Sequence, residues 1–396
     1  MATRIPRALP SRRWASFEGW DYNGTKERLQ NALEKIDKSA LINHAELIKG
    51  QRVTMSQPFS VGQYWACFEM IAEDGSLIIA RARLPRHPDS PSTISEEDEE
   101  HAIACEIATM KFVRKRLSTI PFLTYMHTKV QDRSVPLKQA TTQEHIMTQW
   151  TTMQAEHATL AYPQIGSISS ILPSDEPVIG KLAAFTVGET LDPGPFITSA
   201  EYFISIANAA IERLDSIARL GAFIFRDIVQ QTTLFGNMDN HGLFPLNHMD
   251  LGTQNILVDN DFNFLAIIDW EFAQTAPWQV NRFPMPFPLL QSDFEDILQN
   301  PNHLAYKNVV RQDFSQKLYT QKFRSIEKGL QEEGQPLGGS FADALYGPAS
   351  RIYACFSNLG RIPEVDKGLI GGMVKLAFSF DIDVEKYAQE VERTYC

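Results

Sequence analysis

Between His248 and Glu271 the chain changes polarity in an order that leaves it one compact local fold. His248-Met249-Asp250-Leu251-Gly252-Thr253-Gln254-Asn255 is polar, Ile256-Leu257-Val258 is apolar, and Asp259-Asn260-Asp261 has turn chemistry. Phe264–Ile268 is apolar again, and Asp269-Trp270-Glu271 follows. Two apolar runs separated by Asp and Asn predict a β-hairpin. Its strands run out and back, so both polar flanks return to one end. Asn255 lies five residues after Asp250, and Asp269 fourteen after Asn255, so two carboxylates and an amide are expected together.

Such a grouping suits phosphoryl transfer. One carboxylate, Asp250, orients a substrate hydroxyl and accepts its proton, while Asn255 and Asp269 supply the hard oxygen ligands that magnesium demands beside a nucleoside triphosphate. His248 is expected to pack and hydrogen-bond so as to shape this catalytic loop. A metal-dependent hydrolase using His248, Asp250 and Asp269 is the competing chemistry, but it lacks a further clustered His.

The rest of the chain bounds these readings. At 396 residues it has material for two lobes. With 43% hydrophobic and 21% charged residues it is an ordinary globular sequence. A net charge of -11 argues against nucleic acid or an anionic membrane as the main partner. Cys67, Cys105, Cys355 and Cys396 are widely spaced and form no CxxC, which favours a reducing compartment. The longest apolar runs fall far short of the roughly 20 residues a membrane helix needs. Arg4, Arg7, Arg12 and Arg13 faintly resemble a mitochondrial presequence, but Pro6 and Pro10 interrupt any amphipathic helix, so a cytoplasmic protein with a solvated tail is expected and a mitochondrial one is the alternative.

Periodicity supplies the remaining elements. Gln51–Met55, Trp65–Ile71 and Ser76–Leu84 read as strands of a small antiparallel sheet, with a Glu73-Asp74-Gly75 turn between the last two. Ser95 precedes five acidic residues, and Lys111, Arg114, Lys115 and Arg116 close the same segment. That charge polarity predicts one long helix capped by Ser95, and a metal or a basic partner for the acids is the alternative. Gln143–Thr159 and Ser199–Leu220 read as helices, and most of the chain beyond Asp293 reads as helical, broken at Gly334–Gly339 and near Gly360–Pro363. Phe283, Pro284, Met285, Phe287 and Pro288 either line an apolar acceptor pocket or pack internally, and Asp293, Glu295 and Asp296 either attract a cationic acceptor or start a helix.

The H-x-D-x-x-x-x-N pattern, followed by strand, turn, strand and D-W-E, resembles the aminoglycoside phosphotransferase and protein-kinase-like superfamily, particularly its fungal phosphotransferase branch. Tyr162-Pro163-Gln164-Ile165-Gly166-Ser167 and Gly194-Pro195-Phe196 resemble segments recurring in the fungal proteins, and the resemblance covers most of residues 14–290. It implies an α+β, two-lobed fold. Residues 1–40 would be a tail and leading helix, 41–142 a small antiparallel-sheet lobe with one long helix, and 143–396 a larger, mainly helical lobe carrying the catalytic loop and metal-binding hairpin. It further implies Asp250 as base beside His248, Asn255 and Asp269 on Mg2+, Arg81 on phosphate with Glu106 as counter-charge, and Ser60 and Gly62 in a phosphate-covering loop. Arg83, on the same strand face, is a competing anchor, and an ordinary hairpin turn is the plain reading of the loop. The cofactors implied are Mg2+ with ATP, or GTP, and the partner is a small-molecule acceptor with a hydroxyl or amine. One departure stands out. The family runs from the helix through a strand pair to an adenine-binding hinge, whereas the interval from Ile120 to Thr142 holds no clear hinge strand, and Ser134-Val135-Pro136-Leu137 is a poor substitute. A pseudokinase-like binding protein is therefore the alternative to an enzyme.

Overall fold

The computed structural model of the chain describes residues 25–61, 65–85, 95–117, 140–183, 193–236, 242–259, 261–281, 294–378 and 381–395. The arginine-rich start, Gly62, the Ile120–Leu137 interval and the Phe283–Pro288 segment lie outside them. Two compact units emerge, one of Met1–Pro91, Pro121–Lys138 and Ile256–Ile268, the other of Ser92–Ile120, Gln139–Asn255 and Asp269–Cys396. Small antiparallel sheets and a larger number of helices make up the fold. None of the described helices is long and apolar enough to cross a membrane.

The first unit opens with α1 (Thr25–Lys35) and α2 (Lys38–Lys49). Asp37 caps α2 by accepting the Ala40 N–H at 2.9 Å, and Gly50 ends it in the left-handed region at φ 66°, where a glycine has no Cβ to clash. β1 (Val53–Val61), β2 (Trp65–Ala72) and β3 (Leu77–Arg83) follow as an antiparallel sheet in that order. Alternation along β2 turns Ala66, Phe68, Met70 and Ala72 to one face, where they join two apolar clusters with Leu29 and Ala32 of α1 and Ala45 of α2. The opposite face carries Trp65, Cys67 and Glu69. The turn between β2 and β3 forms as its sequence predicts, with Gly75 at φ 76° and Asp74 Oδ1 accepting the Ser76 N–H at 2.8 Å. Pro58, which cannot donate to a ladder, sits on the edge strand β1 between two register shifts.

The second unit begins with α3 (Glu96–Arg116). Ser95 accepts the Asp98 N–H at 3.1 Å and Asp98 returns the bond to the Ser95 N–H at 3.0 Å, so the acids fill the first turn and the bases the last, as the charge polarity predicts. After α4 (Ala140–Thr159) come β4 (Ala161–Tyr162), β5 (Ser167–Ile171) and β6 (Pro177–Gly180). Ser199–Leu220 is not a single helix. The chain forms α5 (Ser199–Arg213) and α6 (Ser216–Gln231), parted at Leu214-Asp215, with Ser216 at φ 51°. Asp and Ser side chains compete with helical hydrogen bonds, which makes this the natural break. α5 and α6 surround an aromatic core in which Phe225 stacks on Phe356 at 4.0 Å and Phe203 meets Phe235 at 4.7 Å.

β7 (Phe244–Asn247) leads to the hairpin β8 (Ile256–Val258) and β9 (Phe264–Ile267), then β10 (Gln274–Thr275). β7 lies between β10 and β4 in a three-stranded sheet. The rest is helical: α7 (Phe294–Gln299), α8 (Tyr306–Glu332), α9 (Phe341–Tyr346), α10 (Pro348–Phe356), α11 (Asp366–Ala377) and α12 (Val384–Tyr395), with breaks at the two glycine-marked positions expected.

Candidate functional site

The loop after β7 is a run of tight turns. The Asp250 N–H donates to the His248 carbonyl at 2.8 Å, the Gly252 N–H to the Asp250 carbonyl at 2.9 Å, and the Asn255 N–H to the Gly252 carbonyl at 3.0 Å. Met249 is drawn into the left-handed region at φ 64°, which costs an L-residue about 1–2 kcal/mol. His248 is buried, its ring 4.7 Å from that of Trp270, and His157 meets the same indole edge-on at 5.1 Å. His248 thus sits as a packing group beneath the loop. His157 is also buried, and the loss of solvation, with the nearby His248, pushes its pKa down to about 3.

Asp250 is half-buried and held at both carboxylate oxygens. Asn255 Nδ2 donates to its Oδ2 at 3.0 Å and to its main-chain carbonyl at 2.8 Å, while Gln254 Nε2 reaches Oδ1 at 3.4 Å. The buried Asn255 therefore commits its nitrogen to Asp250, and Oδ1 is the atom of that amide able to ligate a cation. In the hairpin, Ile256 pairs with Ile267, which returns the chain at Asp269 to the hairpin end from which Asn255 departs. Asp269 adopts φ 66° and ψ 59°, so it joins Met249 in sparsely populated backbone space. Gln274 of β10 pairs with Asn247 of β7, so the segments carrying Asp250 and Asp269 are also tied at their outer ends.

The donor set fits magnesium. Among the described residues no three His, Cys, Asp or Glu side chains group closely enough to hold a metal alone. Magnesium is usually held by one or two carboxylates with substrate phosphates and water, which an amide oxygen and one or two carboxylates match. A hydrolase set of His248, Asp250 and Asp269 is not formed, because the His248 ring packs on Trp270.

In the first unit, Ser60 pairs with Cys67 and Cys67 with Arg81, which lines Ser60 and Arg81 up across the same sheet face. Both guanidinium groups of β3 lie over the Trp65 ring, Arg81 at 4.5 Å and Arg83 at 4.9 Å. Trp65 and the buried Glu69 share that face and were not predicted as site residues. Glu69 did leave a signal, being a carboxylate set between Phe68 and Met70 in a central strand. Glu106 is buried on α3, in the second unit.

Among the described residues a strand pair follows α3, after α4. β5 pairs with β6, and this hairpin is tied to α3 by Arg116 with Glu176 at 2.7 Å, Lys181 with Asp98 at 3.2 Å, and a His101 Nε2 contact to the Lys181 carbonyl at 3.0 Å. Ala183 packs with Ala102 and Cys105 of α3. The Ile165-Gly166-Ser167 segment opens this strand pair. Phe196 exchanges two backbone hydrogen bonds with Ile165, each 2.9 Å long.

No family model matches the chain, and no curated protein does. Similar solved structures include a protein from Thermobifida fusca provisionally described as a fructosamine-3-kinase, with 13% identity, 89% of this chain and 99% of that one covered, and a TM-score of 0.43. A macrolide 2'-phosphotransferase type I is similar at 13% identity over 86% of this chain and 95% of that one, with a TM-score of 0.40. These structural neighbours are small-molecule kinases by description, and at such TM-scores the likeness assigns neither fold nor function to this chain.

Proposed function

We propose that the chain is an ATP- and magnesium-dependent phosphotransferase that moves a γ-phosphate to a hydroxyl or amine of a small molecule. The observation that supports this reading best is the clamp of Asn255 on Asp250 within an H-x-D-x-x-x-x-N loop, with Asp269 returned to the same hairpin end. Asp250 accepts the proton as the acceptor oxygen or nitrogen bonds to the γ-phosphorus, and the bond from that phosphorus to the β–γ bridging oxygen breaks to release the diphosphate. Asn255 Oδ1 and Asp269 would hold Mg2+, which supplies charge neutralisation on the phosphates. In this reading Arg81 binds phosphate, Ser60 and Gly62 belong to the loop that covers it, Glu106 is a further cofactor-site acid, and His248 packs beneath the catalytic loop that carries Asp250. GTP is the competing donor. The pseudokinase alternative rests on the missing hinge and the single glycine of the phosphate-covering loop, and the test below separates it from the enzyme.

Thermal unfolding with MgATP and with MgGTP tests the reading without an acceptor. A ligand at 100 times its Kd adds about 2.7 kcal/mol, enough for a midpoint rise of a few degrees. The expected rise needs magnesium and disappears in Asp269→Asn. A folded protein that shows no rise with either nucleotide would refute nucleotide binding and with it the phosphotransferase.

A further inference from the structure

Met249 stands between His248 and Asp250 in a conformation its side chain disfavours, and the neighbouring hydrogen bonds show what holds it there. Its N–H donates to Asn247 Oδ1 at 2.9 Å. Asn247 Nδ2 donates onward to Asn281 Oδ1 at 2.6 Å. Asn281 is buried, and both its side-chain amide and its backbone N–H end on the Trp278 carbonyl, at 2.9 and 3.1 Å. The chain of donors runs one way, from the Met249 N–H through two amides to a backbone oxygen. Each amide must accept at one end and donate at the other, a pairing Asp cannot supply at either position. Trp278 lies in a 3-10 turn beyond β10, so the relay joins the loop before Asp250 to the segment after Asp269.

We propose that Asn247 and Asn281 are positioning residues for the transfer step, holding Met249 in the left-handed region and so fixing the backbone from which Asp250 meets the acceptor. This inference rests on the phosphotransferase reading and deepens it. A part-buried amide relay spanning 34 residues is more than a local turn requires, since Asn247 alone satisfies the Met249 N–H. The second amide removes the rotational freedom of the first, and it is the residue a purely local turn would not need.

The test compares the parent with Asn247→Ala, Asn281→Ala and the double variant by MgATP hydrolysis, read as phosphate release, and by amide hydrogen exchange. Each single variant is expected to lower kcat at least tenfold with KM for MgATP within twofold. The double variant should be no worse than the more damaged single, because the two residues act as a unit. Exchange at Met249 should quicken in both single variants. If Asn281→Ala fails to fold, the half-buried Asn247 decides through its own kcat and exchange. Unchanged kcat, a loss confined to KM, or losses that multiply in the double variant would overturn the positioning role. Unchanged Met249 exchange would overturn the relay while leaving the phosphotransferase reading standing. A folded parent that neither binds nor hydrolyses MgATP would overturn that reading, and the relay's catalytic role with it.

Discussion

Asn255 Nδ2 holds Asp250 twice, at the main-chain carbonyl at 2.8 Å and at carboxylate Oδ2 at 3.0 Å. One side chain thereby fixes both the backbone and the carboxylate of the proposed base. Asn255→Ala removes both bonds from a buried site and should cost about 1–3 kcal/mol in urea unfolding, together with loss of the magnesium-dependent nucleotide response. Asn255→Asp keeps an oxygen ligand but sets a second carboxylate against Oδ2, so its nucleotide response should also weaken. An Asn255→Asp protein with parental stability and nucleotide affinity would show that the clamp has no functional weight.

Asp250→Asn separates chemistry from binding. The amide keeps an oxygen able to accept from Asn255, so the loop should hold its shape while losing the proton acceptor. MgATP turnover is expected to fall by about 10^2 to 10^4, with nucleotide affinity within about threefold of the parent. Turnover unchanged in a steady-state assay would remove Asp250 from the mechanism.

How much of this was legible in the sequence depended on the length scale of each interaction. α3 was legible because its signals are local, with a capping serine, acids at one end and bases at the other. The β8–β9 hairpin was legible because apolar runs and a turn lie within a dozen residues. β4, β7 and β10 have two to four residues each, too few to show a period, so the ladder that ties Asn247 to Gln274 was hidden. β5 was missed because Ser167-Ile168-Ser169-Ser170-Ile171 carries little apolar signal and because α4 precedes it. The contacts of Asn281 with Asn247, and of Arg81 and Arg83 with Trp65, depend on pairing across strands and turns, which spacing alone does not encode.

The Trp65 platform predicts an order among the basic residues. An aromatic face beneath two guanidinium groups contributes about 0.5–1 kcal/mol each at exposed sites and limits where those groups can reach. Arg81, in line with Ser60 across the sheet, should be the stronger phosphate contact, and Arg81→Ala should lower MgATP affinity about tenfold, the loss of one charge-assisted hydrogen bond. Arg83→Ala should cost less, and Trp65→Leu should weaken affinity although indole makes no ionic contact. Isothermal titration of the three variants checks the order, and a larger loss from Arg83→Ala would transfer the anchor to that residue.

His157 predicts how stability depends on acidity. Its pKa is pushed from 6.5 to about 3 by burial beneath Trp270 with His248 nearby, so the folded protein keeps the imidazole neutral. Between those values the unfolded chain binds a proton that the folded chain does not, and stability must fall as pH drops. The contribution is complete above pH 6.5 and declines toward pH 3. Between pH 6.5 and 5, above the range in which ordinary carboxylates titrate, the loss from this one group should be on the order of 1 to 2 kcal/mol. His157→Phe keeps a ring against Trp270 and has nothing to protonate, so urea midpoints of the variant should fall less steeply over that interval than those of the parent. Equal slopes would mean that His157 takes up its proton in the folded state, and that the core around Trp270 opens more readily than the packing of His157 and His248 on that indole implies.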